Sequence, residues 1–363
     1  MKKIRLHGLN GDNMNLEFYR GKNVLITGHT GFKGSWLSKI LVGAGANVIG
    51  YSLKPNTWPN LFTQAKIEND ITHIIGDICD YKHMLRVFKK YQPEIVFHLA
   101  AQPLVLEGYK KPLLTYDTNV MGVVNLLECI RNTSSVKTVV NITTDKVYQN
   151  METGESFVET DRLNGYDPYS NSKSCSELVT ECYYNSFLKE RGINVITMRA
   201  GNVIGGGDYA KNRIIPDCVR AAKSKKPIIC RNPNSVRPYQ HVLEPLFAYL
   251  QVGMMKFNNI EHFNIGPQKK DHVKTGELVK KFANKWGEVQ YEIKENKDAP
   301  HEAILLMLDC NKIERELGIK PVWDIDMAIK KVCEFHKAKD IPKEMDKEIN
   351  EYIVAFNNMR KEK

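Results

Sequence analysis

No stretch of this chain approaches the ~18 consecutive apolar residues that a membrane-crossing helix requires. The basic start, Met1-Lys-Lys-Ile-Arg-Leu-His-Gly8, runs into Asn, Gly and Asp instead of an apolar segment, so no signal peptide is expected. The eight cysteines (Cys79, Cys129, Cys175, Cys182, Cys218, Cys230, Cys310, Cys333) contain no C-x-x-C pair. The ten histidines show no H-E-x-x-H or comparable ligand spacing. These absences argue against a disulfide framework and a protein-held metal, and scattered thiols fit a reduced, cytoplasmic setting. An aromatic-interleaved basic patch is also missing, although the net charge is +10. The excess lysines gather late in the chain, in runs such as Lys223-Ser-Lys-Lys226 and Lys330-Lys331, which read as solvated faces. Neither nucleic acid nor a membrane is expected as a partner. Small anionic ligands are, with nucleotide phosphates foremost.

What is present is a soluble-globular composition, 42% apolar and 26% charged over 363 residues, enough for two domains. From residue 23 to about 200, short β-branched runs alternate with helical patterns. Asn23-Val-Leu-Ile-Thr27, Asn47-Val-Ile-Gly-Tyr-Ser52, Thr72-His-Ile-Ile-Gly76 and Glu94-Ile-Val-Phe-His-Leu-Ala100 come first. Val136-Lys-Thr-Val-Val-Asn-Ile-Thr143 and Asn194-Val-Ile-Thr-Met-Arg199 follow. Near-continuous apolar strands between helices predict a parallel sheet covered on both faces, a doubly wound α/β fold of Rossmann type. Beyond Arg199 the alternation gives way to Gly- and Pro-rich segments. A helix near 242–256 and the run Glu261-His-Phe-Asn-Ile-Gly266 return to the sheet, and helices are expected over 274–286 and 327–336. The expected division is a loose extension over 1–17, with Met14 a second possible start, and a nucleotide domain over 18–200 with a return segment at about 236–266. Segments 201–235 and 267–363 would form a smaller C-terminal substrate lobe.

The turn Thr27-Gly-His-Thr-Gly-Phe-Lys-Gly34 follows a strand and opens a helix. Gly28, Gly31 and Gly34 permit a tight turn and close approach of a pyrophosphate to free helix amides, so a dinucleotide is the expected cofactor. A P-loop is excluded because Lys33 precedes Gly34. Strand two ends Gly50-Tyr-Ser-Leu-Lys54, without the carboxylate that usually holds the ribose of NAD. Lys54 or Lys33 would instead favour a 2′-phosphate, so this strand leaves NAD and NADP both open. Asp77, after the third strand, reads either as an acceptor for the adenine amino group or as a helix N-cap. Thr144-Asp-Lys146 ends a central strand, where such sheets carry ligands and where a hydroxyl, an acid and a base stand together. Tyr169 and Lys173 lie four apart, on one helical face. Such a pair is often an ordinary surface contact, but downstream of a glycine turn it reads as a phenol whose pKa a neighbouring ammonium lowers. Arg213 and Arg237, in loops rich in Gly and Pro, read as a clamp for a diphosphate.

These residues resemble the extended short-chain dehydrogenase/reductase superfamily, and within it the CDP-glucose 4,6-dehydratases. The resemblance runs from about 18 to 336. It is carried by Thr27-Gly-His-Thr-Gly-Phe-Lys-Gly-Ser-Trp-Leu37, Phe97-His-Leu-Ala-Ala-Gln-Pro-Leu-Val105, Thr118-Asn-Val-Met-Gly122, Asp167-Pro-Tyr-Ser-Asn-Ser-Lys173, Arg237-Pro-Tyr-Gln-His241 and Pro300-His-Glu302. Lys146 sets this branch apart, since related dehydratases usually carry Glu there. The resemblance implies tightly held NAD, contacted by Thr30, Phe32, Lys33, Asp77, Ile78, Leu99, Ala100, Ala101 and Thr118 besides the glycines, Tyr169 and Lys173. It implies a nucleotide-sugar substrate held by Gln102, Asn202, Arg213, Arg237, His241 and His301, and a redox-neutral dehydration in deoxysugar biosynthesis. In that scheme Tyr169 deprotonates the 4-hydroxyl, Thr144 binds the C4 oxygen, Lys146 removes the C5 proton and Asp145 protonates the departing 6-hydroxyl. It also implies a homodimer, with a tetramer open, paired through helices near 112–132 and 168–189.

The sequence departs from the family pattern at Val147-Tyr-Gln-Asn150, at Leu106-Glu-Gly-Tyr109 and at Tyr239. Three alternatives stay open: dehydration of a GDP-, UDP- or dTDP-hexose, a 4-epimerase, and a non-catalytic NAD(P) sensor. An epimerase needs Tyr169 but not the Asp145–Lys146 pair, and a sensor need keep none of Tyr169, Lys173 and Thr144.

Overall fold

The computed structural model describes residues 16–287, 289–294 and 305–361. Its centre is a sheet of seven strands, β1 (Asn23–Thr27), β2 (Asn47–Ser52), β3 (Thr72–Ile75), β4 (Ile95–His98), β5 (Thr138–Ile142), β6 (Asn194–Ala200) and β7 (Glu261–Ile265). Their spatial order is β3-β2-β1-β4-β5-β6-β7, and every neighbouring pair is parallel. The doubly wound sheet expected from the β-branched runs is therefore observed. Strands β4, β5 and β6 are buried along their whole length, which is why apolar residues dominate them, whereas the edge strand β3 is largely exposed. The chain reverses its direction of winding between β1 and β4, so their C-terminal ends open the crevice in which such sheets bind ligands.

One face of the sheet packs the helices Phe32–Gly43 and Leu243–Met254 together with the C-terminal helix Ile341–Lys361. The other packs Tyr81–Tyr91 and Gly122–Arg131. A separate core joins the helices Ile214–Lys223, Thr275–Trp286 and Ile325–Lys337. This third core is locked to the sheet through Trp36, whose indole donates to the Gly206 carbonyl at 3.0 Å. A Cβ on Gly206 would stand 1.9 Å from the Phe335 ring, so this glycine serves helix packing. Leu16 and Tyr19 are buried, the latter donating to the Leu250 carbonyl at 2.6 Å.

Candidate functional site

The glycine turn is shaped by contact. Gly28 has φ +76°, and a Cβ there would lie 2.8 Å from the Ala100 nitrogen; at Gly34 it would lie 2.2 Å from the Gly28 carbonyl. No side chain caps the helix that opens at Gly31, which leaves its first amides available to an anion. The Thr27 hydroxyl lies 2.7 Å from His98 Nδ1 and accepts from the Ala100 amide, fixing the β4 end that carries Leu99, Ala100 and Ala101 against the turn. These three residues and Thr118 are half-buried. At the end of β2 the Thr30 hydroxyl lies 2.9 Å from that of Ser52 and donates to the Leu53 carbonyl. A pair of hydroxyls thus stands where a carboxylate is usual. Asp77 accepts from the Cys79 amide, while the cap of the following helix is Asp80, which accepts from His83. Gly122 gives room to Ile78, whose side chain a Cβ there would meet at 2.5 Å. The turn, its uncapped amides and its clearances fit a dinucleotide.

Thr144, Asp145 and Lys146 lie just after β5, in a short turn packed on the helix Pro168–Tyr183, which begins with Asp167 accepting from the Tyr169 and Ser170 amides. The Thr144 hydroxyl donates to Asp145 Oδ1 at 2.9 Å. Lys146 Nζ lies 3.4 Å from the same oxygen and 3.4 Å from Asn202 Oδ1. Asp145 Oδ2 is buried and has no hydrogen-bond partner among the described residues, so one carboxyl oxygen remains free for a proton. Burial pushes the Tyr169 phenol up to about 12, against the pull of a hydrogen bond with Thr144 and of the Arg213 charge. The lowering expected from Lys173 is not seen. That ammonium donates to the Ile142 carbonyl at 3.2 Å, and burial brings its own pKa down to about 8. Lys33 reaches into the same chamber. Burial, then the neighbouring Arg213 and Lys173 charges, bring it down to about 7, with Asp145 opposing.

The substrate candidates divide. Asn202 and Arg213 join the chamber, Arg213 pairing with Asp208 at 3.1 Å. Arg237 is buried and donates to the Val236 carbonyl. Gln102 does not present its amide to the site: its nitrogen donates to Thr115 and its oxygen accepts from Leu104. His241 is fully buried, 2.8 Å from Glu348 of the C-terminal helix and against Trp323, and so exposes no atom to a ligand in this structure. His301 lies outside the described residues. Beneath the site Glu177, which was not anticipated, forms a buried ion pair with Arg199 at 3.0 Å. Glu177 is four residues after Lys173, so the helical period that joined Tyr169 to Lys173 also points to it.

A parallel sheet with a glycine-turn crevice and a buried Tyr-x-x-x-Lys helix defines a protein of the extended short-chain dehydrogenase/reductase type. Within that class the chain belongs to the family described as GDP-mannose 4,6 dehydratase, whose model matches residues 25–332. It is 42% identical over 351 residues to CDP-glucose 4,6-dehydratase of Salmonella typhimurium, covering 93% of this chain and 98% of that one. Similarity to dTDP-glucose 4,6-dehydratase of Haemophilus influenzae is lower, 26% over 86% of this chain and 97% of that one. The fold matches that of dTDP-glucose 4,6-dehydratase from Bacillus anthracis, solved in complex with NAD, with a TM-score of 0.74 at 22% identity over 90% of this chain and 100% of that one.

Proposed function

We propose that this protein carries out the NAD-dependent dehydration of a nucleotide-hexose, with CDP-glucose as substrate and the 4-keto-6-deoxy sugar nucleotide and water as products. The observation that carries this reading is the convergence of Tyr169, at the start of the helix Pro168–Tyr183, with Thr144, Asp145 and Lys146 in the turn after β5. The 42% identity to a CDP-glucose 4,6-dehydratase supports the choice of nucleotide. Lys146 supports the same branch. NAD, when bound on the glycine turn, supplies the hydride acceptor for C4 and the hydride donor for C6. Tyr169 receives the proton of the 4-hydroxyl, and Thr144 steadies the oxygen as it becomes a carbonyl. That carbonyl acidifies the C5 hydrogen, which Lys146 removes as a proton. Asp145 gives a proton to the 6-hydroxyl, which leaves as water. Arg213 lies beside Tyr169 and suits the substrate's phosphates.

Two copies pair through the helices near 112–132 and 168–189 in this reading. Leu113 is 87% exposed and Leu178 53%, with Met121 and Phe187 also exposed, an apolar surface that a twofold contact would cover. Eight unpaired cysteines support a cytoplasmic setting. No helix among the described residues is long and apolar enough to cross a membrane. The test is incubation of the purified protein with CDP-, dTDP-, GDP- and UDP-hexoses, followed by detection of the alkali-labile 4-keto chromophore. Product from CDP-glucose above the others supports the reading. Product from another nucleotide alone, or an epimer without the chromophore, overturns it.

A further inference from the structure

The turn that carries Thr144, Asp145 and Lys146 is fastened at both ends to one buried ion pair. On its near side the Thr143 hydroxyl donates to Glu177. On its far side the Tyr148 hydroxyl accepts from Arg199 Nη1 at 3.0 Å and donates to Asn264 at 2.6 Å. Arg199 in turn grips Glu177 in a fork, Nε to Oε1 and Nη2 to Oε2, each at 3.0 Å. Thr197 donates to Glu177 Oε2 at 2.6 Å, and His262 of the edge strand lies 3.4 Å from that oxygen. Glu177 and Arg199 are 1% and 2% exposed. Glu177 stands one helical turn after Lys173 and two after Tyr169, on the same helix.

A buried ion pair of this kind contributes little net stability compared with well-packed apolar side chains, but breaking one partner leaves an uncompensated charge. Its geometry here joins two groups of reacting residues on different elements. Tyr169 and Lys173 belong to the helix; Thr144, Asp145 and Lys146 belong to the turn after β5. The helix has other ties to the sheet, since Asn141 Nδ2 donates to both Ser176 and Thr180. The turn also holds Ser174 and the Asn164 amide on the Val147 carbonyl, at 2.7 and 3.0 Å, and Lys146 beside Asn202. The side chains that flank it, Thr143 and Tyr148, are both fastened to the ion pair, so loss of the pair frees both flanks of the turn while the helix keeps its bonds to Asn141.

We infer that Glu177 and Arg199 are positioning residues that set the acid–base turn against the Tyr169 helix, so that proton removal at C5 and loss of the 6-hydroxyl depend on them more than oxidation at C4 does. This inference rests on the dehydration reading above. A misplacement of about 1 Å at reacting groups is enough to slow a step on the order of a hundredfold.

The test compares wild type, Glu177→Gln, Glu177→Asp and the apolar double variant Glu177→Leu/Arg199→Met, all loaded with NAD and CDP-glucose. In Glu177→Gln, single turnovers followed at the NADH absorbance should show reduced cofactor building up, because oxidation continues while elimination lags, with overall turnover down on the order of a hundredfold. The high-pH limb of the rate profile should also move to lower pH, because Glu177 is the charge that holds the Lys173 proton against burial. Glu177→Asp should restore part of both. The double variant, with no charge stranded, should fold with near wild-type urea stability yet keep the elimination defect. Wild-type turnover without transient NADH in Glu177→Gln overturns the inference, as does a double variant that is stable and fully active. If wild type itself forms no 4-keto product, the dehydration reading fails instead.

Discussion

Lys173 should hold the protein below its attainable stability, and replacing it by Met should reveal this through pH. The side chain is 3% exposed, and its pKa falls from 10.5 to about 8 because burial disfavours the ammonium. The unfolded chain keeps the proton up to about pH 10.5, while the folded chain releases it near 8. Between those values the unfolded state binds more protons, so the lysine's contribution to stability rises with pH; below about 8 the full penalty stands. A gap of roughly 2.5 units corresponds to about 3 kcal/mol. Met keeps the length but leaves the Ile142 carbonyl without its donor, which costs about 1–3 kcal/mol at every pH. Lys173→Met should therefore match or modestly exceed wild type in stability at pH 7 and fall below it at pH 10.5. The difference between the two should swing by about 3 kcal/mol, while activity is abolished throughout. Urea unfolding of both proteins at several pH values, without added dinucleotide, measures this swing directly. Parallel stability curves across that range would refute the argument, because the ammonium would then not be paying for its burial.

Gly34→Ala should abolish the thermal stabilisation that NAD gives and destabilise the free protein by about 1–3 kcal/mol, since the new Cβ would sit 2.2 Å from the Gly28 carbonyl; an unchanged NAD-induced shift would count against the glycine turn as the site. Dinucleotide affinity, measured by calorimetry, should weaken as pH rises through about 7, where Lys33 loses its charge beside Arg213 and Lys173; affinity flat with pH would remove Lys33 from the site's electrostatics. Lys146→Ala should still oxidise the sugar at C4 but lose elimination by about 10²–10⁴, read as reduced cofactor without 4-keto-6-deoxy product. Leu113→Asp with Leu178→Asp should yield monomers by light scattering and lower activity by loosening the Tyr169 helix; a wild type already monomeric at micromolar concentration would dismiss the pairing.

The strands were legible because a strand buried on both faces is mostly apolar, and β4, β5 and β6 are fully buried with Val, Ile, Phe and Met in their middles. Their ends were less so. The expected run through Ala100 stops at His98, where the chain turns under the glycine loop. The helices near 112–132 and 168–189 occupy their expected spans, but each contains a wider turn, at Asp117–Met121 and Tyr184–Leu188, that periodicity does not reveal. The C-terminal helix Ile341–Lys361 carries Met345, Ile349, Tyr352 and Phe356 buried at helical spacing. That stripe was readable, but it sits among so many lysines and glutamates that the polar face dominates.

The site was legible where chemistry follows from position along the chain, and not where it depends on which way a side chain turns. Thr144, Asp145, Lys146, Tyr169 and Lys173 converge because a strand end and a helix start are fixed by the fold. Gln102 and His241 stand in equally distinctive strings, yet one spends its amide on Thr115 and Leu104 and the other lies against Glu348. Glu348 is 107 residues from His241 in sequence, a contact that no local pattern announces. The same limit applies to Gly206, whose neighbour is Phe335 of a distant helix. The phenol is the most instructive case. A lysine four residues on implied a lowered pKa, but that inference takes the ammonium to face the hydroxyl in water. Here both groups are buried, the ammonium turns to the Ile142 carbonyl, and desolvation outweighs attraction. In this state burial holds the proton on Tyr169 at neutral pH, so the proposed role as a base would depend on positive charge brought by a bound ligand.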